Sequence, residues 1–213
     1  LDGLVKAVRL KPNTFDITIL GAYRRLLDIR ELNSKTMIVI LNADKVSHDL
    51  AKVQIHEPQY EKQLIGSIPS LNSVENNVSL AVQSHYEESP YPRWFSHIYN
   101  SAVSSSIFFQ RTCNNVNLET FLPHGAIRIL VAGCGTGKVA IEERFIWQNA
   151  DILAMDLSKT SLAFAQRRSN ELGLERISFV HGDILNLKPD IDLFDYISCI
   201  GVLVFVGLTA YDT

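Results

Sequence analysis

Apolar residues recur along this chain with two different periods, and the change falls past its middle. Up to about residue 80 the spacing is helical. Leu4, Ala7 and Leu10 lie three apart before Pro12 interrupts them, which predicts a short opening helix. Ile19, Ala22, Tyr23, Leu26 and Leu27 would share one face of a second helix over 15–32, with Thr14 as its N-cap. Further amphipathic pieces are expected over 37–41 and 50–65, with Pro58 and Pro69 as breaks. Ser, Asn and Pro then accumulate over 67–77, where a linker is placed. From Ile127 short apolar runs alternate with longer amphipathic ones. Strands are predicted over 127–132, 151–156, 177–181 and 196–202. A helix follows the first strand as far as Asn149. A second, capped by Ser158 and stopped by Gly173, puts Leu162, Ala165, Ser169 and Leu172 on one face. This alternation predicts an α/β fold: a Rossmann-like parallel sheet in the order 3-2-1-4, with helices on both faces, preceded by a mainly helical region. The division expected is a helical region over 1–80, a linker or lid over 81–125 and the sheet domain over 126–213.

Composition narrows the classes. With 46% hydrophobic and 20% charged residues among 213, the chain can bury a core. A formal net charge of -3 argues against a nucleic-acid grip resting on overall charge. Cys113, Cys134 and Cys199 form no CxxC, which argues against a disulfide framework or structural zinc and points to a reducing cytoplasm. The six histidines show no metal-ligand spacing and are read as surface or satisfied polar residues. Glu142-Glu143-Arg144 is read as the solvated face of its helix. The longest apolar stretch, 197–208, is too short for a bilayer, which needs about 20 residues. The chain opens on Leu1 rather than Met and stops soon after that stretch, so both ends are read as cut.

The sharpest chemical signal is Val131-Ala132-Gly133-Cys134-Gly135-Thr136-Gly137-Lys138, at the turn from the first strand into a helix. Glycines there let a ligand approach the backbone, and the helix start offers free N–H groups. The spacing argues against two ligand classes. A triphosphate loop needs glycine where Ala132 stands and Ser or Thr where Val139 stands. A dinucleotide fingerprint needs glycine at Lys138, which disfavours a nicotinamide-linked oxidoreductase. Asp156 ends the second strand 19 residues beyond Gly137, where a carboxylate can accept from ribose hydroxyls. Gly182-Asp183 closes the third strand at the same edge, where a carboxylate can accept from an exocyclic amine. Together they describe an adenosine pocket without a phosphate grip.

Ile129 to Gly137, Met155-Asp156-Leu157-Ser158, His181-Gly182-Asp183 and Phe194 to Leu203 resemble the successive motifs of class I S-adenosylmethionine-dependent methyltransferases. The resemblance covers 126 to about 206. It implies S-adenosylmethionine as cofactor and a methyl-acceptor substrate of unstated class. Gly133, Gly135 and Gly137 would line the methionine moiety, with Cys134 in the same loop. Asp156 would bind the ribose beside Leu157, Asp183 with Ile184 would contact the adenine, and Cys199 would lie near the sulfonium. The segment Tyr86-Glu87-Glu88-Ser89-Pro90-Tyr91-Pro92-Arg93-Trp94 is similar to one found ahead of this domain in bacterial proteins that join tetratricopeptide repeats to a methyltransferase. Residues 1–12 match the tail of such a repeat, which implies a possible protein partner for the helical region. Neither a metal nor a membrane is implied.

Three features depart from the family, the first being that its fold normally has seven strands where four are read here. Val131 stands where many members carry an acid, and Val204 and Phe205 stand where many have histidines. No general base is identifiable, and Asp195 is read as structural. Residues 90–94 are expected either to fold over the pocket, with Arg93 on the methionine carboxylate, or to serve as a plain connector. A non-catalytic interaction module with a degenerate methyltransferase-like domain is the competing reading. The fourth strand, apolar on both faces and left at an edge, is expected to make the chain self-associate and remain inactive alone.

Overall fold

The structure, a computed structural model, describes residues 2–10, 13–29, 32–42, 45–95, 126–188 and 193–202. Expectations for 96–125 and for the apolar run beyond 202 fall outside these residues. The contacts divide the chain into two compact units, Leu1–Gln63 and Leu64–Thr213. The division comes earlier than residue 80, and the expected linker falls inside the second unit.

In the first unit, α1 (Asp2–Leu10), α2 (Thr14–Tyr23), a 3-10 turn (Leu26–Asp28), α3 (Ser34–Leu41), α4 (Lys45–Ala51), a π turn (Lys52–His56) and α5 (Glu57–Ile65) follow in order. Val8, Ile17, Leu20, Leu26, Met37, Leu41 and Ile55 are buried together. Four expectations are corrected here. The N-cap of α2 is Asn13, whose side chain accepts from the Asp16 N–H at 2.9 Å, and the helix stops at Tyr23 because Arg24 turns extended. Its buried face is Ile17, Leu20 and Gly21, while Tyr23 is 73% exposed. The run around Ile17 to Leu20 is apolar enough to be phased either way. Pro58 breaks nothing: the helix runs on without interruption from α4 through the π turn into α5, and the wider π turn just before Pro58 makes room for its ring and missing N–H.

The second unit is built on β1 (Ile127–Ala132), β2 (Ala150–Asp156), β3 (Ile177–His181) and β4 (Tyr196–Ser198), all parallel, in the order β3-β2-β1-β4. With α6 (Asn77–Glu88), α7 (Lys138–Ile146) and α8 (Lys159–Glu171), this is the expected Rossmann-like α/β sheet, preceded in the chain by a helical region. Ile129, Val131, Ile152, Ala154 and Phe179 bury one sheet face against Ala140, Leu162 and Ala165. β4 is shorter than the expected 196–202. Asp195 pins its start, donating its N–H to Arg128 O at 2.9 Å while its Oδ2 accepts from the Arg128 N–H at 2.8 Å. That is the structural role read for it.

The outer edge of β3 is met at its last residue, His181, by the expected linker. Leu71 donates its N–H to His181 O at 2.8 Å, and the His181 N–H donates to Pro69 O at 2.9 Å. An edge strand leaves such groups unsatisfied, so a polar, proline-containing segment docks there instead of spanning space. Glu143 corrects another expectation. It is 4% exposed, and its Oε2 accepts the Trp147 indole N–H at 2.8 Å. The helix face that carries it also carries Ala140 and Ile146, so α7 is buried around more of its circumference than a simple amphipathic stripe allows.

Candidate functional site

The loop between β1 and α7 is bonded to the end of β2. The N–H groups of Gly133 and Cys134 both donate to Met155 O, at 2.8 and 2.9 Å. Gly133, Gly135 and Gly137 take φ of 69°, 53° and 79°. At Gly137 the left-handed conformation coincides with close packing, because a Cβ would lie 2.4 Å from the Ala165 Cβ on α8. Gly137 is also the N-cap of α7, and no side chain caps that first turn.

Asp156 folds back onto the loop. Its Oδ2 accepts from the Gly135 N–H at 2.7 Å and its Oδ1 from the Ser158 N–H at 2.9 Å. Each oxygen keeps a lone pair for a ligand hydroxyl. Burial, opposed by these backbone donors, raises the pKa of this carboxyl. Burial, and secondarily the Asp156 charge, pushes the neighbouring Cys134 thiol well up, so it stays protonated at neutral pH and is no nucleophile. Asp183 is 1% exposed and caps a 3-10 turn (Ile184–Asn186) through Oδ1, which accepts from the Leu185 N–H at 2.9 Å. Its Oδ2 is buried without a hydrogen-bond partner.

These groups line one cavity of about 390 Å3. Gly133, Cys134, Gly135, Asp156, Leu157, Asp183 and Ile184 all border it. Two expected residues do not. Gly137 lies behind the loop against Ala165, and Cys199 packs with Leu130, Ala132 and Met155 while its neighbours Ile200, Gly201 and Val202 reach the cavity. Burial also raises the pKa of the Cys199 thiol.

The opposite wall went unread in the sequence. Val78, Val82 and Tyr86 come from α6, four apart on one helix face, a spacing that was there to be read. Glu87 at the end of α6 accepts the Lys159 N–H at 2.6 Å and the Thr160 N–H at 3.2 Å, capping α8 next to the site. Gln83 donates Nε2 to Leu157 O at 2.9 Å and lies 3.0 Å from His181 Nε2. The segment after α6 contributes Tyr91 and Pro92 to the cavity. It is held by the Trp94 indole N–H donating to Thr136 O at 3.0 Å and by the Thr136 hydroxyl donating to Pro92 O at 2.5 Å. Arg93 does not border the cavity: its guanidinium lies 4.8 Å from the centre of the Phe164 ring.

A strand-loop-helix at the carboxyl edge, with two acids flanking it, is now located, and it coincides with a known sequence pattern. Residues 129–212 match the family model of a methyltransferase domain. Over 141 residues the chain is 30% identical to an uncharacterized protein of Rickettsia prowazekii, RP789, covering 64% of this chain and 24% of that protein. It is 28% identical over 114 residues to the demethylmenaquinone methyltransferase of Oceanobacillus iheyensis, covering 49% and 46%. The chain therefore spans about half or less of the length of these curated relatives. Among solved structures, the magnesium protoporphyrin IX methyltransferase of Synechocystis with bound S-adenosylhomocysteine is 18% identical over 60% of each chain, at a TM-score of 0.42. Val131, within the matched stretch, is 2% exposed in the sheet core and does not border the cavity. No group of metal ligands occurs among the described residues, and none of their helices is long and apolar enough to cross a membrane.

Proposed function

We propose that this chain is an S-adenosylmethionine-dependent methyltransferase. The observation that carries the reading is the convergence of the glycine loop, Asp156 and Asp183, whose buried Oδ2 has no partner, on one cavity. Asp156 offers two acceptor oxygens at the distance along the chain where a ribose is held. Asp183 offers a buried acceptor for the adenine amine, and Leu157 and Ile184 supply apolar walls for the base. The uncapped first turn of α7 directs N–H groups and the positive end of the helix dipole toward the cavity edge at Lys138 and Val139, which suits the methionine carboxylate.

The bound cofactor supplies a methyl group on a cationic sulfur that is already an activated leaving group. The chain's task is alignment and exclusion of water. The loop and α6 fix the two walls, and Tyr91 and Pro92 close the side between them. The acceptor is a molecule whose nucleophilic atom enters this cavity. A reducing compartment belongs to this reading, since Cys134 and Cys199 are both free thiols. Calorimetry with S-adenosylhomocysteine tests the site directly, together with transfer of labelled methyl from S-adenosylmethionine to a mixed cell extract. Binding is expected, and no binding removes the proposal. Transfer by the 213-residue chain would overturn both the inactivity expected of it alone and the non-catalytic alternative.

A further inference from the structure

We propose that Asn72, in the segment ahead of α6, is a positioning residue that sets the base selectivity of the cavity by fixing Asp183. The inference rests on the adenosyl reading given above. The Asn72 carboxamide pairs with the main chain of Asp183 as another peptide group would. Its Oδ1 accepts the Asp183 N–H at 2.7 Å, and its Nδ2 donates to Asp183 O and to Asn186 O, both at 3.0 Å. One acceptor and both amide hydrogens are used, so neither Asp, which lacks the donors, nor Leu, which lacks both, can replace it. The approach is close enough that a Cβ at Gly182 would lie 3.0 Å from Asn72 Oδ1.

The Asp183 carboxylate is thus held from two sides, by Asn72 through its main chain and by the Leu185 N–H through Oδ1. What remains is Oδ2, buried and without a partner, on a residue that borders the cavity. A carboxylate oxygen only accepts, so at this point it favours a ligand that presents N–H over one that presents a carbonyl. Fixed orientation makes the preference sharp: an acceptor free to swing away would tolerate either group.

The test compares S-adenosylhomocysteine with its 6-keto analogue, S-inosylhomocysteine, by calorimetry on the 213-residue chain and on Asn72→Leu, Asn72→Asp and Ser70→Ala. Ser70→Ala removes the contact of the same segment with His181 Nδ1, at 3.2 Å, and leaves Asn72 in place. The unmodified chain is expected to prefer the amino form by about tenfold or more. In Asn72→Leu that preference falls to below about threefold, through loss of amino-form affinity with little change for the keto form. Asn72→Asp keeps the acceptor for the Asp183 N–H, loses both donors, and follows the same direction; it is the variant read if Asn72→Leu does not fold. Ser70→Ala keeps the preference. Failure of the unmodified chain to bind either compound sinks the adenosyl reading itself. A preference that survives both Asn72 substitutions, or that Ser70→Ala abolishes equally, overturns the role of Asn72 while leaving that reading intact.

Discussion

On the proposed reading, Asp156 is both scaffold and ligand group. Its carboxylate holds Gly135 and Ser158 in place, so replacing it disturbs the loop as well as the proposed ribose contact. Asp156→Ala is expected to weaken S-adenosylhomocysteine binding by about 1–3 kcal/mol, measured by calorimetry. The pH dependence has a definite sign. A buried acid with a raised pKa favours the folded state at low pH, and that contribution is lost as pH rises through the folded pKa. Binding runs the other way, because protonation removes an acceptor. Affinity should therefore fall on acidification, starting above the ordinary carboxylate range, and Asp156→Asn should flatten the profile. At Cys134 the raised pKa predicts that iodoacetamide leaves the thiol unmodified in the native protein at neutral pH while labelling it after denaturation, as mass spectrometry of the peptide would report.

The glycine loop behaves as an element rather than as three equivalent residues. At Gly135 a Cβ would meet nothing closer than Tyr91 O at 3.7 Å, so Gly135→Ala bears only the strain of its positive φ, about 1 kcal/mol. At Gly137 the same strain is joined by overlap with α8, whose Ala165 Cα would lie 3.2 Å away. Gly137→Ala should cost roughly 2–3 kcal/mol or more, with the ranking read from urea midpoints. The sequence made the loop, the strand positions and the Ser158 cap legible because each rests on local pattern: strand period, glycine spacing, a cap residue before an apolar face. It did not reveal which glycine faces the ligand and which faces α8, since that depends on where Ala165 arrives from another helix. Glu143 was misread for a related reason. A charged residue on an amphipathic helix looks solvated until Trp147, one turn on, brings an indole N–H over it. Its pKa is raised by burial, so Glu143→Gln should raise the melting temperature at neutral pH and lose that advantage below the unfolded carboxylate range.

At the scale of the molecule, the residues that line the cavity lie between Val78 and Val202, all in the second unit. Family motifs alone would start the domain near residue 129, where the match to the methyltransferase family begins. The structure extends it upstream in three ways. Pro69 and Leu71 pair the edge of β3, Glu87 caps α8, and Trp94 is 6% exposed with its indole N–H on the glycine loop. None of these contacts has a short-range sequence signature, because each joins residues 40 or more positions apart, and the Ser, Asn and Pro content of the docking segment reads as a linker. They make a quantitative prediction about boundaries. A fragment spanning 64–213 should bind S-adenosylhomocysteine within about threefold of the 213-residue chain, since no cavity-lining residue has been removed. A fragment spanning 127–213 keeps every family motif but exposes the β3 edge, uncaps the start of α8 and opens the wall formed by Val78, Val82 and Tyr86. It should lose measurable binding and show no cooperative thermal transition. Equal binding by the two fragments would mean that α6 and the docked segment only decorate a site that the sheet and its loop build by themselves.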